Sequence, residues 1–374
     1  MADLHDVAQR FISQGVILEV REYGSGNVND TFLVTVGGSN SSPTRGESPE
    51  QKFILQRLNT EVFRQPELVM ANLGIVTEHV HRRLELQPLS DGRRFEVPRV
   101  VLTRDGRDHV QDPAGTFWRA LSFIDLAETF DTIKDEGHGQ EVGYALGLFH
   151  RLLSDLPAHR LADTLPGFHV TPGYLRQYDE VLAAGGAPSS AEVDYCLKFV
   201  KERRALAPTL EAARGAGKLR PRVIHGDPKV NNVMWDISTG EAVALVDLDT
   251  VKPGLVHYDI GDCLRSGCNT LGEETEAWER VRFEPDLARA ILAGYLPQAR
   301  EFLTDNDYAY LYNGIRVLAF ELGLRFFTDY LAGNVYFKSR HRGHNLGRAL
   351  VQFRLTESIE AQAAAIRAII RDLG

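Results

Sequence analysis

The sequence predicts an α+β fold of two lobes: a small antiparallel-sheet lobe with one helix, followed by a larger, mainly helical lobe. Two patterns predict it. Strand-like runs with alternating apolar and polar residues crowd the start of the chain, and apolar stripes at helical spacing dominate the rest. Length adds a third argument, because 374 residues are many for a single core. The pattern changes near Asp125, so the lobes are expected at 1–125 and 126–374.

Val16 to Tyr23 reads as the first strand, with Val16, Leu18 and Val20 alternating against Ile17, Glu19 and Arg21. Gly24-Ser25-Gly26-Asn27-Val28-Asn29-Asp30 follows as a turn, and Thr31 to Val36 as a second strand. Gly37 to Gln51 is rich in Gly, Ser, Pro and Glu and reads as a mobile hairpin tip. Lys52 to Leu58 is the third strand. Pro66 suits the first turn of a helix that lines up Val69, Leu73, Val76, Val80 and Leu84. Val97 to Leu102 and Phe117 to Ile124 complete the strands. Beyond Asp125 three stripes mark helices: Val142, Leu146, Phe149 and Leu153; Val193, Leu197, Val200 and Leu206; and Leu311, Ile315, Leu318, Leu322 and Phe326. The last residues are helical in pattern too.

Composition excludes several classes. The apolar fraction of 43% is ample for a packed core, and the net charge of −9 argues against nucleic acid or an anionic membrane surface as partner. No apolar stretch approaches the roughly 18 residues needed to span a bilayer. The first residues lack the basic and apolar regions of a secretory leader, so a cytoplasmic enzyme is expected, as a monomer or weak homodimer. Cys196, Cys263 and Cys268 read as reduced thiols, without the spacing of a zinc site.

The chemistry concentrates in Val223-Ile224-His225-Gly226-Asp227-Pro228-Lys229-Val230-Asn231-Asn232-Val233, followed by Ala244-Leu245-Val246-Asp247-Leu248-Asp249. Phosphoryl transfer from ATP needs a carboxylate to orient the attacking hydroxyl and a cation on the moving group. It also needs oxygen ligands for magnesium. Asp227 fits the base, Lys229 the cation, and Asn232 with Asp247 the metal ligands. Asp249 is expected to help at the metal or to hold the loop. His225 is expected to bond loop backbone rather than act as a base. This order of residue types, on a loop between strand-like runs, is that of kinases with the protein-kinase-like fold. Gly24 and Gly26 permit close backbone approach to phosphates, and Asn27 and Asn29 are candidate donors beside them. Adenine is expected against the backbone of Phe123, Ile124 and Asp125.

These motifs resemble the aminoglycoside phosphotransferase/choline kinase superfamily. More closely, the chain resembles the bacterial N-acetylhexosamine 1-kinases. The runs that carry this are Phe53 to Thr60, Lys229 to Asn232, Val246 to Thr250 with Pro253-Gly254, and Tyr258 to Asp262. Glu321 to Phe326, Asp329 to Leu331, Tyr336-Phe337 and His344 to Leu346 extend it. The resemblance implies ATP and Mg2+ as cofactors and a sugar as substrate, phosphorylated at the anomeric hydroxyl. It further implies sugar contacts from Asp227, Glu321, Arg325 and Tyr336. Glu321 and Arg325 are also i, i+4 on one helix face, which by itself reads equally as an ion pair. Asp259 is expected to brace the catalytic loop, with Asp262 and Arg265 as candidate pocket residues and His150 as a packing histidine. Other acceptors of the superfamily stay open, namely another hexose, an aminoglycoside or a choline-like alcohol, as does a nucleotide-binding pseudokinase. An arginine among the substrate contacts disfavours the cationic acceptors.

Three departures stand out. Kinases of this fold place a lysine or arginine on the third strand for the phosphates, and here Gln56 occupies that point, so Lys229 and the metal are expected to carry more charge. Lys52 and Arg57 are the neighbouring cations. Asn27 stands where the resembling family can carry histidine, and the Gly37 to Gln51 tip is long.

Overall fold

The computed structural model describes residues 3–24, 28–38 and 50–374. Gly26, Asn27 and the centre of the Gly37 to Gln51 tip lie outside the described residues. Helix α1 (Leu4–Gln9), which sequence patterning missed, is too short to show a helical period; Asp3 caps it through the His5 N–H. Strands β1 (Val16–Glu22), β2 (Asp30–Gly37) and β3 (Gln51–Arg57) follow, then helix α2 (Pro66–Leu86). Strands β4 (Val100–Val101), β5 (Val110–Gln111) and β6 (Phe117–Ser122) complete an antiparallel sheet in the order β1-β2-β3-β6-β4, with β5 also on β6.

Two strand expectations are corrected. The face assigned to β1 is wrong: Val16 and Leu18 are exposed, while Ile17 and Val20 pack on the core. A register shift between Ile17 and Glu19 breaks the alternation, and one extra residue flips the sides. The strand expected over Val97 to Leu102 shrinks to β4, because Pro98 has no N–H for a ladder.

Helix α2 keeps the expected stripe: Pro66 stands at its start, and Val69, Leu73, Val76 and Val80 are buried. Each such side chain contributes roughly 1.5–3 kcal/mol by leaving water. Asn72 also fixes α2, bonding the carbonyls of Ala162 and Val251 and accepting from the Ala162 N–H.

The remainder is helical around small strands. β7 (Ala127–Thr129) leads to helices α3 (Glu136–Leu153), α4 (Thr171–Gly185), α5 (Ala191–Arg203) and α6 (Thr209–Gly215). β8 (Arg222–Ile224), β9 (Val233–Asp236), β10 (Ala242–Leu245) and β11 (Lys252–Gly254) come next. Helices α7 (Val256–Gly267), α8 (Pro285–Ala299), α9 (Asp305–Leu331), α10 (His344–Ala361) and α11 (Ala363–Leu373) follow. The three expected stripes fall on α3, on α5 with its 3-10 extension, and on α9. One apolar core runs from α2 through α3 and the long α9 to α11. A second core covers the opposite face of the small sheet. The three cysteines are buried and unpaired. No described helix is long and apolar enough to cross a membrane.

Helices α3 and α8 cross at glycine. A Cβ on Gly143 would meet the Ile291 carbonyl oxygen at 1.8 Å, and one on Gly294 would meet that of Gln140 at 1.9 Å. This approach brings His150 of α3 to the Tyr295 hydroxyl of α8, 2.9 Å from Nδ1. Gly143→Ala is expected to lower stability by about 1–3 kcal/mol or more, since backbone on both sides must yield. An unchanged melting temperature would contradict the crossing.

Candidate functional site

The loop leaving β8 turns at Gly226, whose φ is +89°. A Cβ there would lie 2.7 Å from the Thr250 carbonyl oxygen, so both backbone conformation and space call for glycine. Asp259, at the start of α7 and fully buried, fastens this turn. Its Oδ2 accepts from the His225 N–H at 2.6 Å and its Oδ1 from the Gly226 N–H at 2.9 Å. His150 Nε2 lies 2.9 Å from the same Oδ2. The expected bracing role of Asp259 is therefore what the geometry shows, and His150 supports it rather than only packing.

His225 bonds loop backbone as expected. Its Nδ1 accepts from the Asp227 N–H at 3.3 Å, which leaves Nε2–H to donate to the Val246 carbonyl at 2.9 Å. Burial pushes its pKa down, in keeping with this neutral tautomer. The histidine thus joins the Asp227 segment to the strand end before Asp247.

Asp227, Lys229, Asn232 and Asp247 converge. Lys229 Nζ lies 2.9 Å from Asp227 Oδ2. Asn232 donates Nδ2–H to the Asp227 carbonyl at 2.7 Å, which leaves its side-chain oxygen free, and the Val246 N–H donates to the Asn232 carbonyl at 2.8 Å. Asp227 holds the Lys229 ammonium above its ordinary value. Asp247 has left-handed backbone, φ +61° and ψ 57°, a region that aspartate, like asparagine, enters more readily than most residues with a side chain. Its carboxyl is pushed up to about 7, first by desolvation and then by Asp249 and Asp227. The side chain still opens to water, so surrounding protein and neighbouring charge crowd it without closing it off.

Asp249, buried, is paired with Arg119 of β6 at 2.5 Å and accepts from Asn29 Nδ2 at 2.7 Å. The Asn29 oxygen accepts from the Asn59 N–H, so both ends of that side chain are engaged. Gln56 accepts from Arg119 Nε and Nη2 at 3.0 and 2.7 Å and donates to Thr31. Gly24 has φ +75° with open space around it. Ile124 is buried beside Met234, Val243 and Ala244, and Phe123 meets Tyr23 edge-on at 5.8 Å.

The residues expected to contact an acceptor lie around α9. Glu321 is buried, and it does not pair with Arg325. Its Oε1 lies 2.9 Å from His169 Nδ1, and Oε2 accepts from the Thr171 hydroxyl at 2.6 Å. Arg325 instead lies against four rings, those of Phe168, Tyr174, Tyr336 and Phe337, at 4.9–6.0 Å from their centroids. Burial pushes the Tyr174 hydroxyl up to about 12. The loop bearing Tyr336 is gathered by Asp329, which accepts from the N–H groups of Val335, Tyr336 and Phe337 and from Asn345. Tyr336 itself is 66% exposed. Arg265 pairs with Asp262 at 2.8 Å, and both are buried. Among the described residues no three His, Cys, Asp or Glu side chains cluster as a metal site.

Sequence reasoning missed His169, Thr171 and Arg119. His169 has φ +63°, and its second nitrogen lies 2.9 Å from the Gly226 carbonyl. It bridges the turn at Gly226 and α9. Both ring nitrogens face acceptors, which suits the doubly protonated ring. Burial lowers its pKa, but Glu321, Asp262 and the Gly226 carbonyl together outweigh this, and the net shift is upward from 6.5. A raised folded value means that protonation stabilises the fold fully below about 6.5, a contribution lost as pH rises through the folded value. In melts from about pH 6 to about pH 9, wild type is expected to lose more stability than His169→Gln. Parallel curves would contradict a charged bridge.

A family model described as the phosphotransferase enzyme family matches residues 19–304. Among solved structures, a microcompartment-associated aminopropanol kinase aligns over 96% of this chain and 98% of its own, with a TM-score of 0.59 at 17% identity. An aminoglycoside phosphotransferase from Alicyclobacillus acidocaldarius covers 100% of this chain and 98% of its own, with a TM-score of 0.58 at 15% identity. An amicoumacin kinase in complex with AMP-PNP, Ca2+ and Ami covers 92% of this chain and 88% of its own, with a TM-score of 0.54 at 16% identity. At these identities the structures share the kinase-like α+β fold. The family match spans most of the chain and includes the converging loop residues, so this protein belongs to the phosphotransferase enzyme family.

Proposed function

We propose that the protein is an ATP-dependent small-molecule kinase that phosphorylates the anomeric hydroxyl of an N-acetylhexosamine. The observation that carries the acceptor class is Arg325. Four aromatic rings surround its guanidinium, and the acid on the same helix face is engaged by His169 and Thr171. An aromatic cage is the usual receptor for a quaternary ammonium, and here the chain's own cation fills it. A second cation would be repelled. A neutral acceptor with a carbonyl oxygen and a flat apolar face suits a guanidinium flanked by rings.

In this reading Asp227 orients the attacking hydroxyl and takes its proton as the bond to phosphorus forms and the bond to the departing ADP oxygen breaks. A loose transition state rewards such positioning more than proton removal. Lys229, held beside Asp227, reaches the moving phosphoryl group. The free oxygen of Asn232 and the crowded Asp247 carboxylate are hard donors that fit magnesium, and excess negative charge at Asp247 favours a cation there. Asn232 and Asp247 would hold the metal, which would supply positive charge against the negative charge of the phosphates. In this reading adenine lies against the backbone of Phe123 and the apolar cluster of Ile124 and Met234, with the phosphates near Gly24. His169 links the phosphoryl-transfer loop to the acceptor helix, so the two half-sites share one scaffold.

Steady-state kinetics with magnesium-ATP and N-acetylglucosamine test this reading. Asp227→Asn is expected to lower kcat by about a hundredfold or more while ATP still binds. Arg325→Ala is expected to raise the sugar KM about tenfold or more with little change in the ATP KM. Full activity without the Asp227 carboxylate, or equal effects of Arg325→Ala on both substrates, would overturn these roles.

A further inference from the structure

The third strand carries Gln56 where a cation is expected, and the nearby cations do not take its place. Arg57 pairs with Asp30 at the surface, and Lys52 lies over the Phe123 ring at 5.9 Å. The strand next door supplies one. In the β3–β6 ladder Gln56 stands opposite Arg119, and Arg57 opposite Trp118. Trp118 packs in the core on one face of the sheet, while Phe117 and Leu121 join the core on the other. Arg119 therefore shares the face of Gln56, towards Asp249 and away from Trp118.

Every feature of Arg119 is that of a held cation. It is only 1% exposed. Gln56 accepts from Nε and Nη2, and the Asp249 carboxylate, two residues beyond Asp247, lies 2.5 Å from Nη2 as an ion pair. Asp249 is steadied by Asn29 from the glycine-rich turn. Nη1 is buried and has no hydrogen-bond partner among the described residues. A buried guanidinium N–H without an acceptor is costly, and nothing among the described residues accounts for it.

We propose that Arg119 is the nucleotide's phosphate-binding cation, reaching the site from β6 in place of the absent residue on β3, with Nη1 offered to an oxygen of the α- or β-phosphate. Gln56 is then the group that aims it, and Asp249 fixes the other edge of the fork. Nη1 is covered in this conformation, so the contact forms with a local opening of the site. The inference rests on the nucleotide-binding reading above.

Titration calorimetry of ADP and of adenosine, both in EDTA, tests it, because only ADP carries the phosphates and no metal intervenes. Arg119→Gln is expected to weaken ADP binding about tenfold or more while leaving adenosine affinity unchanged, as for a lost charge-assisted contact. Arg119→Lys is expected to fall between. Because Arg119→Gln leaves Asp249 unpaired, the neutral pair Arg119→Gln/Asp249→Asn is measured beside it. It is expected to regain melting temperature without regaining ADP affinity. Equal losses for ADP and adenosine, or ADP affinity restored in the neutral pair, would reduce Arg119 to a partner of Asp249 and overturn the proposal. Wild type that binds ADP while Arg119→Gln binds it equally well sinks this inference alone. Wild type that binds neither ligand sinks the nucleotide reading with it.

Discussion

The site depends on one buried carboxylate. Asp259 receives two successive backbone N–H groups, from His225 and Gly226, and His150 meets it from behind. A fully enclosed carboxylate is tolerable only with such donors, and each donor would in turn be costly to bury without it. The arrangement thus fixes the turn at Gly226, and the turn fixes where Asp227 begins. Its support is remote from the chemistry: His150 reaches Asp259 because glycines let α3 and α8 approach closely. Core packing and site geometry are here the same constraint.

From that anchor the interactions spread in two directions. His225 carries position to the strand end before Asp247, and His169 carries it from the Gly226 carbonyl to Glu321 on α9. The candidate phosphoryl-transfer loop and the proposed acceptor helix are therefore tied through the His169 bridge. On the other side Asp249, Arg119, Gln56 and Asn29 join the metal-loop segment to the small sheet. Acidic groups gather around the site, and desolvation first, then Asp249 and Asp227, push the Asp247 carboxyl up. Such a balance suits a site that receives its remaining positive charge with the substrate.

Legibility in the sequence followed locality. The candidate catalytic loop was readable because Asp227, Lys229 and Asn232 lie within one short segment, and Asp247 stands at the end of an apolar strand. The α2, α3 and α9 stripes were readable because burial repeats at the helical period. The unusual Gln56 was also visible, but its consequence was not. Arg119 finds Gln56 only through the pairing of β3 with β6, which no local pattern encodes. His169 escaped for a similar reason: a lone histidine in a loop gains meaning only when α9 and the catalytic turn close on it. The β1 face was misread because a bulge shifts the alternation by one residue. Arg325 came from family resemblance, and its ring surround is assembled from the 168–174 segment and the 336–337 loop.

The central claim is phosphoryl transfer to a neutral sugar hydroxyl. Phosphorus NMR of the product tests it most directly, using magnesium-ATP and an equimolar mixture of N-acetylglucosamine, N-acetylgalactosamine, glucose, ethanolamine and kanamycin. The account predicts an N-acetylhexosamine 1-phosphate as the main product, recognised by coupling of phosphorus to the anomeric proton. Phosphoethanolamine or a phosphorylated aminoglycoside in its place would contradict the role given to Arg325 and its rings.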